Sequence, residues 1–197
     1  MPFAYPVLLE LSGKRAVVIG SFALAERKDV ALREAGADVD VFANGAWRPE
    51  DLDGAFVCVA SSEDPAERDA VARAARELGV LVNVMDDVPN CDFAAPAVVR
   101  RGDLVVAIGT GGRSPALARK VREDIEARYG QEWEEVLAVV ARVRSETLPQ
   151  LTDLTTRGRR WRSALDLDEA AALVRAHRSD ELRRRLLERL LRDEEVA

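Results

Sequence analysis

The chain has 197 residues, enough for one or two domains with a buried core, and its apolar runs fall far short of the ~20 residues that span a bilayer. Its 35 acidic side chains outnumber the 29 basic ones, giving a net charge of −6, so there is no surplus of cations to neutralise a nucleic-acid backbone. A single histidine, His177, excludes a multi-histidine metal site within one chain, and two distant cysteines, Cys58 and Cys91, point to reduced thiols rather than a disulfide framework.

The first half alternates strand and helix signals. Ala16–Ile19 is a short β-branched run ending at Gly20 and reads as a buried strand. Phe22–Ala35 has helical character and stops at Gly36, a C-cap residue. Val39–Ala43 and Phe56–Ala60 are the next strands. Asp64-Pro65 opens a helix that Gly79 ends, and Val80–Val84 is a fourth strand. This alternation predicts βαβ units and a mostly parallel sheet. After Asp87 the pattern changes. Ala97–Arg100 and Leu104–Ile108 flank Arg101-Gly102-Asp103, a hairpin signal. From Ser114 onward the chain reads as helix nearly throughout. Leu182, Leu186, Leu187, Leu190 and Leu191 form an apolar stripe, and Arg183, Arg184, Arg185 and Arg189 beside it read as a solvated face.

A strand, a glycine turn and a helix at the start of the chain suggest a dinucleotide fold, in which backbone meets a pyrophosphate at the helix N-terminus. Gly20 and Ala25 suit the first and last positions of that turn. Phe22 stands where a second glycine is usual, and a bulky side chain there hinders close approach of phosphates. Only twelve residues, Asn44 to Ala55, separate the second strand from the third, too few for a full crossover helix. No acidic residue ends the second strand, and Asn44 is the nearest polar group that could meet a ribose.

Several blocks together resemble the precorrin-2 dehydrogenase / sirohydrochlorin ferrochelatase family, the bifunctional module of siroheme synthases. They are Tyr5-Pro6-Val7, Ala25-Glu26-Arg27-Lys28, Asn83-Val84-Met85-Asp86-Asp87, Cys91-Asp92-Phe93, Pro96, Arg100-Arg101-Gly102-Asp103-Leu104, and Thr110-Gly111-Gly112 with Ser114-Pro115-Ala116-Leu117-Ala118-Arg119. The resemblance implies an α/β fold in three parts. A Rossmann-like NAD-binding domain over 1–95 is followed by a dimerisation segment over 96–128 and an all-helical C-terminal domain over 129–197. It implies an intertwined homodimer and two reactions: NAD-dependent oxidation of precorrin-2 to sirohydrochlorin, then insertion of ferrous iron as a substrate. By the same resemblance Asp86 is the catalytic carboxylate. The cofactor positions fall on Gly20, Ala23, Leu24, Asn44 and Gly45.

The residue types suit that chemistry. Oxidation of the macrocycle removes a hydride and a proton, chelation displaces two pyrrole protons, and a carboxylate at a strand end can accept a proton in each. Arginine binds carboxylate bidentately, so Arg100, Arg101, Arg113 and Arg119 are candidates for holding the polycarboxylate substrate. Thr110-Gly111-Gly112 before a helix offers backbone N–H groups to an anion. Asp87 reads as structural and His177 as solvent-exposed. No metal-ligand set, nucleic acid or membrane is expected. The opening Met1–Arg15 lacks a basic leader and a small-residue cleavage site, so a cytoplasmic protein is expected. Two other readings stay open: a chelatase or tetrapyrrole carrier that has lost NAD, and a non-catalytic scaffold dimer.

Overall fold

The computed structural model describes residue 3, residues 5–20 and residues 22–192, with the side chains of residues 22–24 outside the described set. The chain divides into two compact units. The first runs to Pro96 and takes in Gly109–Pro115; the second comprises Ala97–Ile108 and the chain from Ala116 onward. The segment expected to form a separate middle part, 96–128, is therefore shared between the two.

In the first unit four short strands, β1 (Arg15–Ile19), β2 (Asp38–Phe42), β3 (Val57–Ala60) and β4 (Leu81–Val84), form a parallel sheet in the order β2-β1-β3-β4. Burial on both faces explains the unbroken apolar runs in β1 and β3. Val17, Ile19, Cys58, Ala60, Val82 and Val84 pack in one cluster with helix α2 (Pro65–Glu77). Ala16, Val18 and Val57 pack in another with Leu11 and with Ala25 of helix α1 (Phe22–Glu34). Burial pushes the Cys58 thiol up to about 12, so it is a neutral core residue.

The short connection from β2 to β3 holds one 3-10 turn, Pro49–Leu52, in place of a helix. Leu52 anchors it with no exposed surface. Arg15 fixes it from the start of β1: its Nη1 donates to the Asp53 carbonyl at 2.5 Å and its Nη2 to the Asp51 carbonyl at 2.9 Å. Fourteen residues, 43–56, thus suffice because the turn is bound at a buried leucine and a bridging arginine rather than by its own helical ladder.

The second unit begins with the antiparallel hairpin β5 (Ala97–Arg101) and β6 (Leu104–Ile108), which among the described residues pair only with each other. Gly102 opens the two-residue turn at φ 55 while Asp103 keeps a negative φ, the pattern of a type II′ turn. Among the described residues five helices follow: α3 (Pro115–Arg128), α4 (Glu132–Thr147), α5 (Leu154–Ala164), α6 (Leu167–Arg175) and α7 (Ser179–Leu191). Their core gathers Trp133, Val136, Val139 and Val143 of α4, Leu173 and Val174 of α6, and Leu182, Leu186 and Leu190 of α7. The arginines beside the α7 stripe do more than solvate a face. Arg183 donates to Glu146 of α4 at 2.6 Å, and Arg185 and Arg189 both bond Glu169 of α6. Among the described residues no helix is long and apolar enough to cross a membrane.

His177 has a conformational role. It follows α6 at φ 57, its N–H donates to the Val174 carbonyl at 2.9 Å, and the Arg178 N–H donates to the Leu173 carbonyl at 2.9 Å. This is a Schellman closure with histidine where α1 and α2 carry Gly36 and Gly79. The side chain is exposed. His177→Gly should therefore stabilise the second unit by about 0.5–1 kcal/mol, read as a higher urea midpoint. An unchanged or lower midpoint would show that the left-handed conformation costs histidine nothing here.

Candidate functional site

The sheet order changes direction between β1 and β3, and in open α/β sheets that switch point, at the carboxyl ends of the strands, is where ligands bind. Gly20 lies there. Its N–H donates to the Phe42 carbonyl at 3.0 Å, and a Cβ at Gly20 would stand 3.3 Å from the Ser61 carbonyl oxygen. The backbones beyond β1 and β3 thus approach closely because Gly20 has no side chain, which is the fit a dinucleotide fold requires of this residue. The expected positions Ala23 and Leu24 lie in the first turn of α1, and their side chains, with that of Phe22, lie outside the described residues.

Asn44 and Gly45 form an exposed turn directly after β2, closed by the Ala46 N–H on the Ala43 carbonyl at 3.1 Å. The Gly45 N–H is already engaged. It donates to Glu67 Oε1 at 2.7 Å, the Trp47 indole donates to the same oxygen at 2.9 Å, and the Ser62 hydroxyl donates to Oε2 at 2.6 Å. Burial opposes ionisation of Glu67, yet the three bonds from Ser62, Gly45 and Trp47 together hold its carboxyl below the ordinary glutamate range. Sequence reasoning misses Glu67 because it stands three residues after the helix-capping Asp64, the place of a capping-box glutamate. Only the folded chain shows that its carboxylate reaches across to the loop beyond β2.

Asp86 and Asp87 follow β4 and have opposite surroundings. Asp87 accepts from Arg68 Nε at 3.0 Å and from the Asn90 amide at 3.1 Å, while Arg68 also donates to the Ser62 carbonyl at 3.0 Å. The Asn90 amide lowers the Asp87 carboxyl most, partial burial works against it, and Arg68 adds to the lowering. Asp87 therefore ties the end of β4 to the start of α2. Asp86 is exposed, at φ 59, and among the described residues its carboxylate has no hydrogen-bond or ion-pair partner. A non-glycine residue in the left-handed region is uncommon, and such strain concentrates at sites where geometry serves function.

The outer edge of β4 is closed by the segment after it. Asp92 pairs with Val82, its N–H on the Val82 carbonyl at 2.7 Å and its Oδ2 receiving the Val82 N–H at 3.2 Å. The Cys91 thiol receives the Val84 N–H at 3.2 Å and donates to the Val84 carbonyl at 3.0 Å. The Asn83 amide donates to the Phe93 carbonyl at 2.8 Å. Asn83, Cys91 and Asp92 thus act as a clasp that positions the strand end carrying Asp86. Burial foremost holds the Cys91 thiol above its ordinary range, which keeps it protonated to donate.

The turn at Thr110–Ser114 packs beside this strand end. Gly111 and Gly112 both have left-handed backbone, at φ 61 and 76, and a Cβ at Gly112 would stand 3.4 Å from a methyl of Val88. The Thr110 hydroxyl receives the Ser114 N–H at 3.2 Å. The glycine turn thus meets Val88, two residues beyond Asp86, and both belong to the first unit.

The arginines divide. Arg113 lies on the glycine turn, exposed, in the first unit; Arg100, Arg101 and Arg119 belong to the second unit. Among the described residues the guanidinium groups of Arg100, Arg113 and Arg119 show no partner. Arg101 is different: its Nε donates to the Tyr129 carbonyl at 2.8 Å and its Nη2 reaches the Glu126 carbonyl. These bonds close the C-terminal end of α3, so most of its donors serve the fold. Among the described residues no group of three or more His, Cys, Asp or Glu could hold a metal ion.

Two family models match this chain in succession. Residues 7–97 match a family described as putative NAD(P)-binding, and residues 101–128 match one described as sirohaem biosynthesis protein central. Siroheme synthase 1 of Yersinia enterocolitica is 33% identical over 178 residues, covering 81% of this chain. The chain belongs to the siroheme synthase family. It spans 38% of the Yersinia enterocolitica siroheme synthase, and 43% of siroheme synthase 1 of Pectobacterium atrosepticum, to which it is 30% identical over 96% of its own length. Among solved structures, SirC, a precorrin-2 dehydrogenase, shares the fold with a TM-score of 0.63 at 20% identity, covering 94% of this chain and 98% of that one.

Proposed function

We propose that this member of the siroheme synthase family is an NAD-dependent precorrin-2 dehydrogenase, working as a homodimer, that forms sirohydrochlorin. The observation that carries the proposal is Asp86, without a partner among the described residues and held in a left-handed conformation after β4, on a sheet whose Gly20 suits a dinucleotide. Membership of the family supports the choice of macrocycle.

NAD, when bound, supplies the hydride acceptor for this two-electron oxidation; Gly20, with Asn44 and Gly45, would hold it. The remaining work falls to the chain. Asp86 accepts the proton that the macrocycle releases as the hydride leaves, so charge and atoms balance: one hydride and one proton lost, one double bond gained. Its neighbour Asp87 cannot take that part without releasing Arg68 and Asn90. Arg100, Arg113 and Arg119 are proposed to bind the substrate carboxylates. Ferrous iron is the proposed substrate of a second reaction, in which Asp86 accepts one of the two pyrrole protons and the other passes to solvent.

The test is anaerobic incubation of the protein with precorrin-2, with and without NAD, followed by absorbance. Sirohydrochlorin is expected only with NAD. Binding of the macrocycle without oxidation would move the assignment to a chelatase or carrier.

A further inference from the structure

Rossmann-type sites hold the adenosine ribose beyond the second strand, ordinarily with an acidic residue at that strand's end. Here β2 ends in Phe42-Ala43-Asn44-Gly45 and provides none. The structure delivers one from elsewhere. Glu67, in the first turn of α2, places its carboxylate against the Gly45 N–H at 2.7 Å and the Ser62 hydroxyl at 2.6 Å, so it sits at the carboxyl edge of the sheet between the loops that follow β2 and β3. We infer that Glu67 is the specificity residue that selects NAD over NADP by accepting a hydroxyl of the adenosine ribose. The inference rests on the NAD-dependent reading proposed above.

Three observations carry it. First, the carboxylate is fixed by three donors, two on Oε1 and one on Oε2. A carboxylate has about four acceptor positions, so Oε2 retains one for a ribose hydroxyl. Second, the group is ionised, because those bonds favour the charged form. A 2′-phosphate brought against a fixed, partly desolvated carboxylate meets like-charge repulsion, whereas a hydroxyl meets an acceptor. Third, the bracket joins the exact loop expected to carry the cofactor contacts to the start of α2, so the charge cannot swing away without breaking the Trp47 and Ser62 bonds. The cation within the β2–β3 loop is Arg48. Its N–H donates to Asp51 at 2.7 Å, and its side chain is exposed.

Calorimetric titration of the full chain with NAD and, separately, NADP tests the inference. The wild type is expected to bind NAD at least about tenfold more tightly than NADP. Glu67→Gln keeps an acceptor for Gly45 and Trp47 and a hydrogen-bonding group for Ser62, so its thermal midpoint should stay near the wild-type value while the NAD-to-NADP preference collapses towards parity. A purely structural bracket would leave that ratio unchanged in Glu67→Gln, and that result overturns the inference. So does a wild-type preference for NADP, which would assign the selection to Arg48. Failure of the wild type to bind either dinucleotide would refute the NAD-dependent reading itself, and is distinguishable because it appears before any variant is made.

Discussion

Asp86→Ala is expected to lower the rate of sirohydrochlorin formation by about 10²–10⁴-fold, the usual contribution of a positioned proton acceptor. The expectation rests on contrast between adjacent carboxylates. Asp87 is held by Arg68 and Asn90, whereas Asp86 has no partner among the described residues and faces solvent. Loss of a stabilising residue would lower activity and stability together. Here the two should separate, because Asp86 occupies φ 59, a conformation that glycine adopts more readily. Asp86→Gly should therefore unfold at or above the wild-type urea midpoint while remaining as slow as Asp86→Ala. Wild-type turnover in either variant would remove Asp86 from the mechanism. A large fall in stability would make it structural.

Leu52→Ala should destabilise the first unit by about 2–5 kcal/mol. Leu52 is fully buried and is the apolar anchor of the 3-10 turn that replaces a crossover helix. A turn this short has almost no ladder of its own, so its position depends on Leu52, on Arg15 below and on Glu67 above. Loosening it should also weaken NAD binding through Asn44 and Gly45. NAD at a hundredfold excess over its dissociation constant would return about 2.7 kcal/mol to a wild-type site, and a smaller shift is expected in the variant. Urea unfolding with and without NAD measures both effects. A loss below about 1 kcal/mol would show that Arg15 and Glu67 hold the crossover without the leucine.

Local features of this fold are legible in the chain. The β-branched runs that end at Gly20 and before Asp86 are buried strands, Gly36 and Gly79 close their helices, and Gly102 turns the hairpin. Each depends on a few neighbouring residues and on backbone rules that act within one turn. What the chain does not reveal depends on partners far away in sequence. Arg101 looks like any candidate carboxylate clamp until its donors are seen on Tyr129, 28 residues on. Arg183 reads as a solvated charge, yet it bonds Glu146, 37 residues before it. Glu67 has the spacing of a helix cap, and its true contacts lie 20 and 22 residues back, at Trp47 and Gly45. In the sequence the twelve residues from Asn44 to Ala55 look too few for the crossover of a nucleotide fold. The structure shows a shortened one, braced by side chains whose pairing no spacing rule encodes.

The most direct measurement of the central claim is the stoichiometry of NADH to sirohydrochlorin when the wild-type protein turns over precorrin-2 under anaerobic conditions. One NADH for each sirohydrochlorin is expected. Sirohydrochlorin formed without NADH, or no oxidation with NAD at saturation, would contradict it.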